Sequence, residues 1–422
     1  MNKVFRKKKA ADFLIALLEY SIIVMIMMHI GSVWLRMQQG FLAGKVGIVN
    51  NLTSFFIVLL AVLFGIKNGF FTLKNQLFWA IVCIFSIALT LYGNFSSLAR
   101  ATTTLYLPVL SSLLLATFMR IDDFSELIGR FIRCMLIVAV VSLFFWTFGS
   151  ILHWLPNSGK VTFVWDHVMS ATSYYGVYFE PAWQKLVIPG YGVLQKNCGI
   201  FTETPMYCFL LSTAYCWYRI QPEQKMWVRV IFLATIATAI NTTAITAVII
   251  FEVVKYALEN NVRGRKDVFK FIVLPLLGLV GFYAVYALVI AKLDTGSGNI
   301  RMDHLISCVN AFLSSFPFGT GVESHSYIVG LGEYEQGISV GLPYLFAQGG
   351  LGAVLLIFVP SVYLFLKAFK TKSWGVIAFL AAFLWSLFCT SMVYRCHLYW
   401  ILICYFVNYG TMLSRRNGTI PQ

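Results

Sequence analysis

Apolar runs of membrane-crossing length recur along almost the whole chain, separated by short polar segments. They fall at about residues 13–34, 47–65, 77–93, 101–119, 131–152, 200–218, 228–240, 243–258, 269–291, 340–366, 374–390 and 397–413. A stretch of about 20 apolar residues reads as a spanning helix, because the bilayer core offers no water to backbone N–H and C=O groups and a helix satisfies them internally. The pattern predicts an all-α polytopic membrane protein of about twelve transmembrane helices, folded as a single domain over residues 1–422. The run from Trp227 to Leu258 is 32 residues long. At ~1.5 Å per residue it would extend about 48 Å. Its middle is Asn241-Thr242-Thr243, a polar break that predicts two short helices; the alternative is one tilted, kinked helix. No internal repeat is visible, which weighs against an inverted-repeat transporter.

Two long polar stretches interrupt this pattern, at 153–199 and 294–339. Counting spans from a cytoplasmic N-terminus puts both on the same, outer side. The first is rich in aromatics, among them Trp165, Tyr178 and Trp183. Such rings stack on the apolar faces of sugars, and they also gather wherever protein meets a headgroup layer. The second opens on the turn-forming cluster Asp294–Asn299, continues from Arg301 as an amphipathic helix expected to lie on the membrane surface, and stops at Phe316-Pro317-Phe318-Gly319-Thr320-Gly321.

Composition supports a lipid-solvated chain. Of the 422 residues 59% are hydrophobic and 12% charged, against about 25% charged in soluble domains. The net charge of +15 invites a nucleic-acid reading. Its distribution argues instead for topology: 23 of the 32 Lys and Arg fall on the side of the N-terminus and nine on the other. That is the positive-inside pattern, with both termini cytoplasmic. Met1–Lys9 is polar and basic and the first apolar run lacks a small-residue cleavage site, so this run is expected to stay as the first span. The nine cysteines show no metal-ligand or redox spacing.

Candidate chemistry lies at the outer ends of the spans. Arg100, Lys196, Arg301 and Arg395 are basic residues there. Converging, they would bind a multiply charged anion such as a lipid-linked phosphate or pyrophosphate; singly, each reads as a solvated or snorkelling charge. Glu203 falls about one turn into an apolar span, within Lys196-Asn-Cys-Gly-Ile-Phe-Thr-Glu-Thr-Pro205. A carboxylate there is either paired with a cation such as Lys196 or held as a base. On a helix Arg301 and His304 share a face, while Asp303 points elsewhere. His304 and His325 are the candidate histidines of the second stretch, each also readable as an ordinary polar surface residue. No HExxH, GxSxG, CxxC or P-loop pattern occurs, which argues against the corresponding hydrolases and nucleotide-driven pumps.

Three stretches resemble the bacterial O-antigen polymerase/ligase group of membrane glycosyltransferases, which includes capsular polysaccharide polymerases: Lys196 to Pro205, the Asn241–Thr243 break, and Arg301 followed by Phe316–Gly321 and Gln348-Gly-Gly-Leu-Gly352. The likeness is good over roughly 190–370. It implies a GT-C-like fold in the bacterial inner membrane, with the active site facing the periplasm. It also implies undecaprenyl-pyrophosphate-linked glycans as donor and acceptor, without cofactor, metal or nucleic acid. A flippase and a chain-length regulator are the protein partners it suggests. The implied roles are Glu203, His304 and Arg301 in catalysis and Lys196, Arg301, Arg100 and Arg395 at the pyrophosphate. Trp165, Tyr178, Trp183 and His325 would meet the glycan. Two departures matter. Lys196 stands where the family often has Arg, and Gly337–Gln348 lacks the histidine of the ligase branch. The second favours the polymerase branch over the ligase, with a lipid-linked oligosaccharide flippase as the alternative from another class.

Overall fold

A computed structural model describes residues 2–68, 84, 106–165, 167–188, 192–262, 296–321, 324–333, 338–390 and 397–403. The described chain is mainly helical. The helices are α1 (Asn2–His29), α2 (Val33–Arg36), α3 (Val46–Asn68), α4 (Leu107–Phe118), α5 (Ile121–Phe145), α6 (Thr204–Ile220), α7 (Met226–Ala239), α8 (Thr242–Val262), α9 (Gly296–Ser314), α10 (His325–Val329), α11 (Leu342–Lys370) and α12 (Trp374–Cys389). Residues 397–403 are helical too. Among the described residues, four segments are long and apolar enough to cross a membrane: Ala11–His29, Val46–Asn68, Asp122–Ile151 and Leu342–Lys370. Predicted span 269–291 and, but for Ile84, 77–93 lie outside the described residues.

The helices differ from the predicted runs where polar groups intervene. α1 ends at His29, short of residue 34, because the Gly31 carbonyl leaves the helix to accept the Thr202 N–H at 2.9 Å. α5 begins ten residues before the predicted run, where the Arg120 N–H donates to Asp123 Oδ2 at 3.0 Å and closes the first turn. It finishes in a π-helical turn, Trp146–Ile151. Between α7 and α8 the chain breaks at Ile240, which is left-handed at φ +49°, and Asn241 Oδ1 caps α8 by accepting the Ala244 N–H at 3.0 Å. The run 227–258 is therefore two helices.

The stretch 153–199 is not helical, and an all-α description omits it. It builds an antiparallel meander, β1 (Gly159–Trp165), β2 (His167–Tyr174) and β3 (Tyr178–Pro181), and a hairpin, β4 (Lys185–Ile188) with β5 (Gly192–Gln195). The register pairs Phe163 with Met169, Val161 with Ala171 and Ser173 with Phe179. One face carries Phe163, Ala171 and Phe179, all buried against Val33 of α2. The Trp34 indole N–H donates to the Gly176 carbonyl at 2.7 Å and fixes the sheet to the end of α1–α2.

The core centres on α6, which is buried continuously from Met206 to Tyr218. A helix apolar on every side belongs in the interior, and α6 packs against α5, α7, α8 and α12. α12 also packs on α8 and α11, and α9 lies along α11.

Candidate functional site

The segment entering α6 is held from several directions. Asn197 is fully buried and all its amide atoms are used. Its Nδ2 donates to Thr238 Oγ1 (3.1 Å) and Ser142 Oγ (3.3 Å), and its Oδ1 accepts the Gly199 N–H (3.2 Å). Its backbone N–H donates to the Thr238 carbonyl at 3.1 Å. The Ser142 hydroxyl in turn meets Tyr207 Oη at 2.7 Å. Gly199 sits at φ +58°, and a Cβ there would lie 3.2 Å from the Tyr207 ring. Its carbonyl accepts the Phe179 N–H at 2.9 Å, joining the sheet to the same segment. These contacts place Lys196 and Glu203 at the ends of one clamped turn, both half-buried, with Glu203 as the N-cap residue of α6. The sheet loop thus meets the end of α7, beside the α7–α8 break, at Thr238. Burial pushes the Cys198 thiol well above its ordinary range.

The second frame is built by α9 and α11. α9 starts at Gly296, before Arg301, and does not lie alone: His304, Ser307, Cys308 and Ala311 are buried on one side of it. His304 Nδ1 accepts the Ser339 N–H at 3.2 Å, with the Ser339 hydroxyl 3.0 Å away. A backbone N–H can only donate, so Nδ1 must carry a lone pair. The neutral ring then has its proton on Nε2 and presents a donor there. Asp303, one residue back, accepts the Glu333 N–H on both carboxylate oxygens at 3.1 Å and is spent on holding the 330–333 turn. Arg301 is half-buried in the first turns of the same helix.

Below α9 the Phe316–Gly321 turn docks into a break in α11. Leu351 N–H donates to the Pro317 carbonyl (2.7 Å), Thr320 N–H to Ala347 (2.8 Å) and Gly321 N–H to Gln348 (2.9 Å). The break is at Gly350, φ +54° and ψ −145°. Contact is backbone on backbone. A Cβ on Gly319 would sit 2.4 Å from the Gln348 carbonyl oxygen, and one on Gly350 2.2 Å from that of Pro317. The two glycine-rich motifs of the second half of the chain are thus two sides of one joint. α10 then returns, with the exposed His325 placing Nδ1 3.1 Å from Tyr344 Oη.

The aromatic candidates separate. Tyr178 is fully buried, stacked on Phe145 at 6.2 Å with its hydroxyl 3.3 Å from Ser150 Oγ, and offers no ring face to a glycan. Trp183 is half-buried against Phe163 at 5.4 Å. Trp165 ends β1 at the tip of the meander, and His325 is on the exposed side of α10. Arg100 and Arg395 lie outside the described residues. Asn197 and Ser339 were not singled out by sequence reasoning. Asn197 carried a signal, an Asn followed two residues later by Gly as in an Asx turn; Ser339 carried none. No protein-family model and no curated protein matches this chain.

Proposed function

We propose that the protein is a polysaccharide polymerase of the O-antigen or capsule type. It would join undecaprenyl-pyrophosphate-linked repeat units at the outer face of the bacterial inner membrane, with both termini cytoplasmic and a GT-C-like arrangement of about twelve spans. The observation that carries the reading is the joint between Phe316–Gly321 and Gln348–Leu351. It makes one physical unit of the two stretches on which the family resemblance is strongest, with Arg301 and His304 on the helix that the joint anchors.

In the reaction, a hydroxyl oxygen of the acceptor repeat unit attacks the donor's anomeric carbon from the face opposite the pyrophosphate. The carbon–oxygen bond to the lipid pyrophosphate breaks, and the pyrophosphate leaves with the electron pair; the hydroxyl proton passes to a carboxylate. Glu203, at the clamped N-terminus of α6, is the better base. For His304 to accept a proton at Nε2, its existing proton would have to sit on Nδ1, facing the Ser339 N–H. His304 therefore serves as a donor toward developing negative charge, and Arg301 with Lys196 neutralises the leaving group.

The test is Arg301→Ala and Glu203→Ala in a cell that displays its polymer. Both variants should leave single capped repeats in place of the ladder on a gel, at normal protein level. Persistent long chains would refute the assignment. Reconstitution with a lipid-linked repeat unit should yield polymer; movement of that unit across the bilayer without new glycosidic bonds would favour the flippase. Glu19 and Glu252, ionisable groups a transport path could use, instead pair with Arg130 and Arg219. The ligase reading keeps one specific support. His304 stands against Ser339, so a histidine occupies the region just before α11 although it comes from α9. Loss of a ligase would leave bare core.

A further inference from the structure

A second group of charges gathers at the end of α6 remote from Glu203, beside the ends of α7 and α8 that lie away from their break at Ile240. Arg219, in the last turn of α6, holds the Glu252 carboxylate of α8 at both oxygens, Nε to Oε1 at 2.6 Å and Nη2 to Oε2 at 2.9 Å. Tyr215 Oη donates to the same Oε1 at 2.5 Å. The loop into α7 is tied back onto this frame. Gln224 Nε2 donates to the Arg219 and Gln221 carbonyls, each at 2.8 Å, and Tyr218 Oη donates to the Lys225 carbonyl at 3.2 Å. Lys255 Nζ, from α8, donates to the Arg219 carbonyl at 2.6 Å. A Cβ added at Gly375 would lie 3.8 Å from Lys255 Cε, so the start of α12 stands beside the same side chain.

Arg229 belongs to the first turn of α7 and is half-buried. Its buried Nε–H finds no acceptor, and its guanidinium forms no ion pair, among the described residues. Lys255 lies within electrostatic reach of both Arg219 and Arg229. Three cations from three helices therefore meet at one place. The acidic groups around them are accounted for. Glu252 is filled by Arg219 and Tyr215; Glu259 lies 3.9 Å from Lys255 and is 46% exposed, a distance and exposure at which solvent screens the attraction; Glu223 is exposed in the loop. A buried guanidinium N–H without an acceptor is costly, and like charges without a counter-ion repel. One anion between Arg229 and Lys255 removes both costs. A guanidinium fork and an ammonium both recognise phosphate. The first-turn N–H groups of α7, where Lys225 provides no side-chain cap, add donors at the same end.

We propose that Arg229 and Lys255, on the frame made by Arg219 and Glu252, form a phosphate-binding site at the far end of α6 from Glu203. The two ends are about 24 Å apart at ~1.5 Å per residue. The positive-inside pattern expects this end to face the cytoplasm. The headgroup of an anionic inner-leaflet lipid and a free phosphate share the required chemistry, and the experiment separates them. The inference is independent of the polymerase reading, because it uses none of the residues placed in that reaction.

The experiment uses the full chain, stripped of lipid, in a neutral detergent. The probes are dioleoyl phosphatidylglycerol, dioleoyl phosphatidylcholine and inorganic phosphate. Native mass spectrometry counts retained lipid, and thermal unfolding reads the stabilisation that a bound ligand confers. Phosphatidylglycerol or inorganic phosphate should raise the melting temperature, and salt should weaken the effect. Arg229→Gln should lower the apparent affinity about tenfold, the weight of a lost charge-assisted contact, and Lys255→Gln should lower it too. Because Arg229 forms no ion pair among the described residues, Arg229→Gln without added probe should be at least as stable as the wild type. Lys45→Gln removes a cation that sits 4.1 Å over the Phe41 ring, and should change neither reading. A response to phosphatidylglycerol alone, with one lipid retained per chain ahead of phosphatidylcholine, assigns the site to a headgroup. A response to inorganic phosphate that Arg229→Gln abolishes assigns it to the free ion. Equal retention of the two lipids with no effect of phosphate would overturn the site, as would an Arg229→Gln protein that responds to the probes like the wild type. Loss of stability in Arg229→Gln before any probe is added would also overturn it, since the guanidinium would then be serving the fold.

Discussion

Gly319 and Gly350 show how single residues decide whether the joint can form. Both have positive φ, +82° and +54°, and both face backbone rather than a side chain that could swing aside. Gly319→Ala or Gly350→Ala should each cost at least the ~1–3 kcal/mol of a strained backbone position, and more if the turn undocks. A lower melting temperature in detergent and loss of activity would report it. Gly129 is the control: it lies within α5 and an added Cβ meets nothing within 4 Å. Gly129→Ala should hold or raise stability, by up to about 1 kcal/mol from helix propensity. If Gly350→Ala unfolds no earlier than Gly129→Ala, the close approach between the turn and α11 is not real. The sequence marks these glycines as a motif but not as partners. Gly319 and Gly350 lie 31 positions apart in the sequence, and only the folded chain reveals that one fits the other.

At the scale of elements, legibility followed periodicity and local capping. The break after α7 was readable because Asn241 is a polar residue with cap chemistry in an apolar run. The meander was readable in principle: Val161 and Phe163 alternate with Lys160 and Thr162 after the turn-forming Pro156–Gly159. The aromatics that suggest glycan contact belong to these strands, and Tyr178 is the clearest case of a ring claimed by packing. The segment from Lys196 to Pro205 is legible as a motif but not as a clamp, since Asn197 bonds to Ser142 and Thr238 from distant helices. Its clamp predicts a chemical phenotype. Burial holds Cys198 as an inert thiol, so a maleimide should not label it in the native protein. Asn197→Ala removes side-chain bonds to two helices, worth about 1–3 kcal/mol where partners stay buried, and should open the segment to labelling while lowering thermal stability. Cys198 as reactive in the wild type as in denatured protein would contradict the clamp.

Across the whole molecule, ion pairs join helices that apolar contact alone would let slide. Glu19 on α1 is fully buried and pairs with Arg130 on α5, which is 12% exposed. Glu252 on α8 meets Arg219 at the end of α6, and Lys67 at the end of α3 meets Asp123 on α5 at 3.3 Å. The basic members, Arg130, Arg219 and Lys67, all belong to the Lys- and Arg-containing segments that the positive-inside pattern expects on the cytoplasmic side. Glu19 is a lone carboxylate in the apolar run 13–34, and its partner is not legible there, because i,i+4 spacing does not reach from residue 19 to residue 130. A double-mutant cycle tests the pairing. Glu19→Gln strands a buried guanidinium, whose remaining carboxylate contact is the exposed Glu126 at 3.2 Å, and should cost about 3 kcal/mol. Arg130→Leu strands the Glu19 carboxylate and should cost as much or more. The double variant replaces both charges, and because desolvating a pair offsets much of its attraction, it should be more stable than either single variant. Thermal unfolding of the four proteins in one detergent decides it: a double variant whose loss equals the sum of the two single losses would mean that Glu19 and Arg130 do not interact, and that α1 is held to α5 by apolar packing alone.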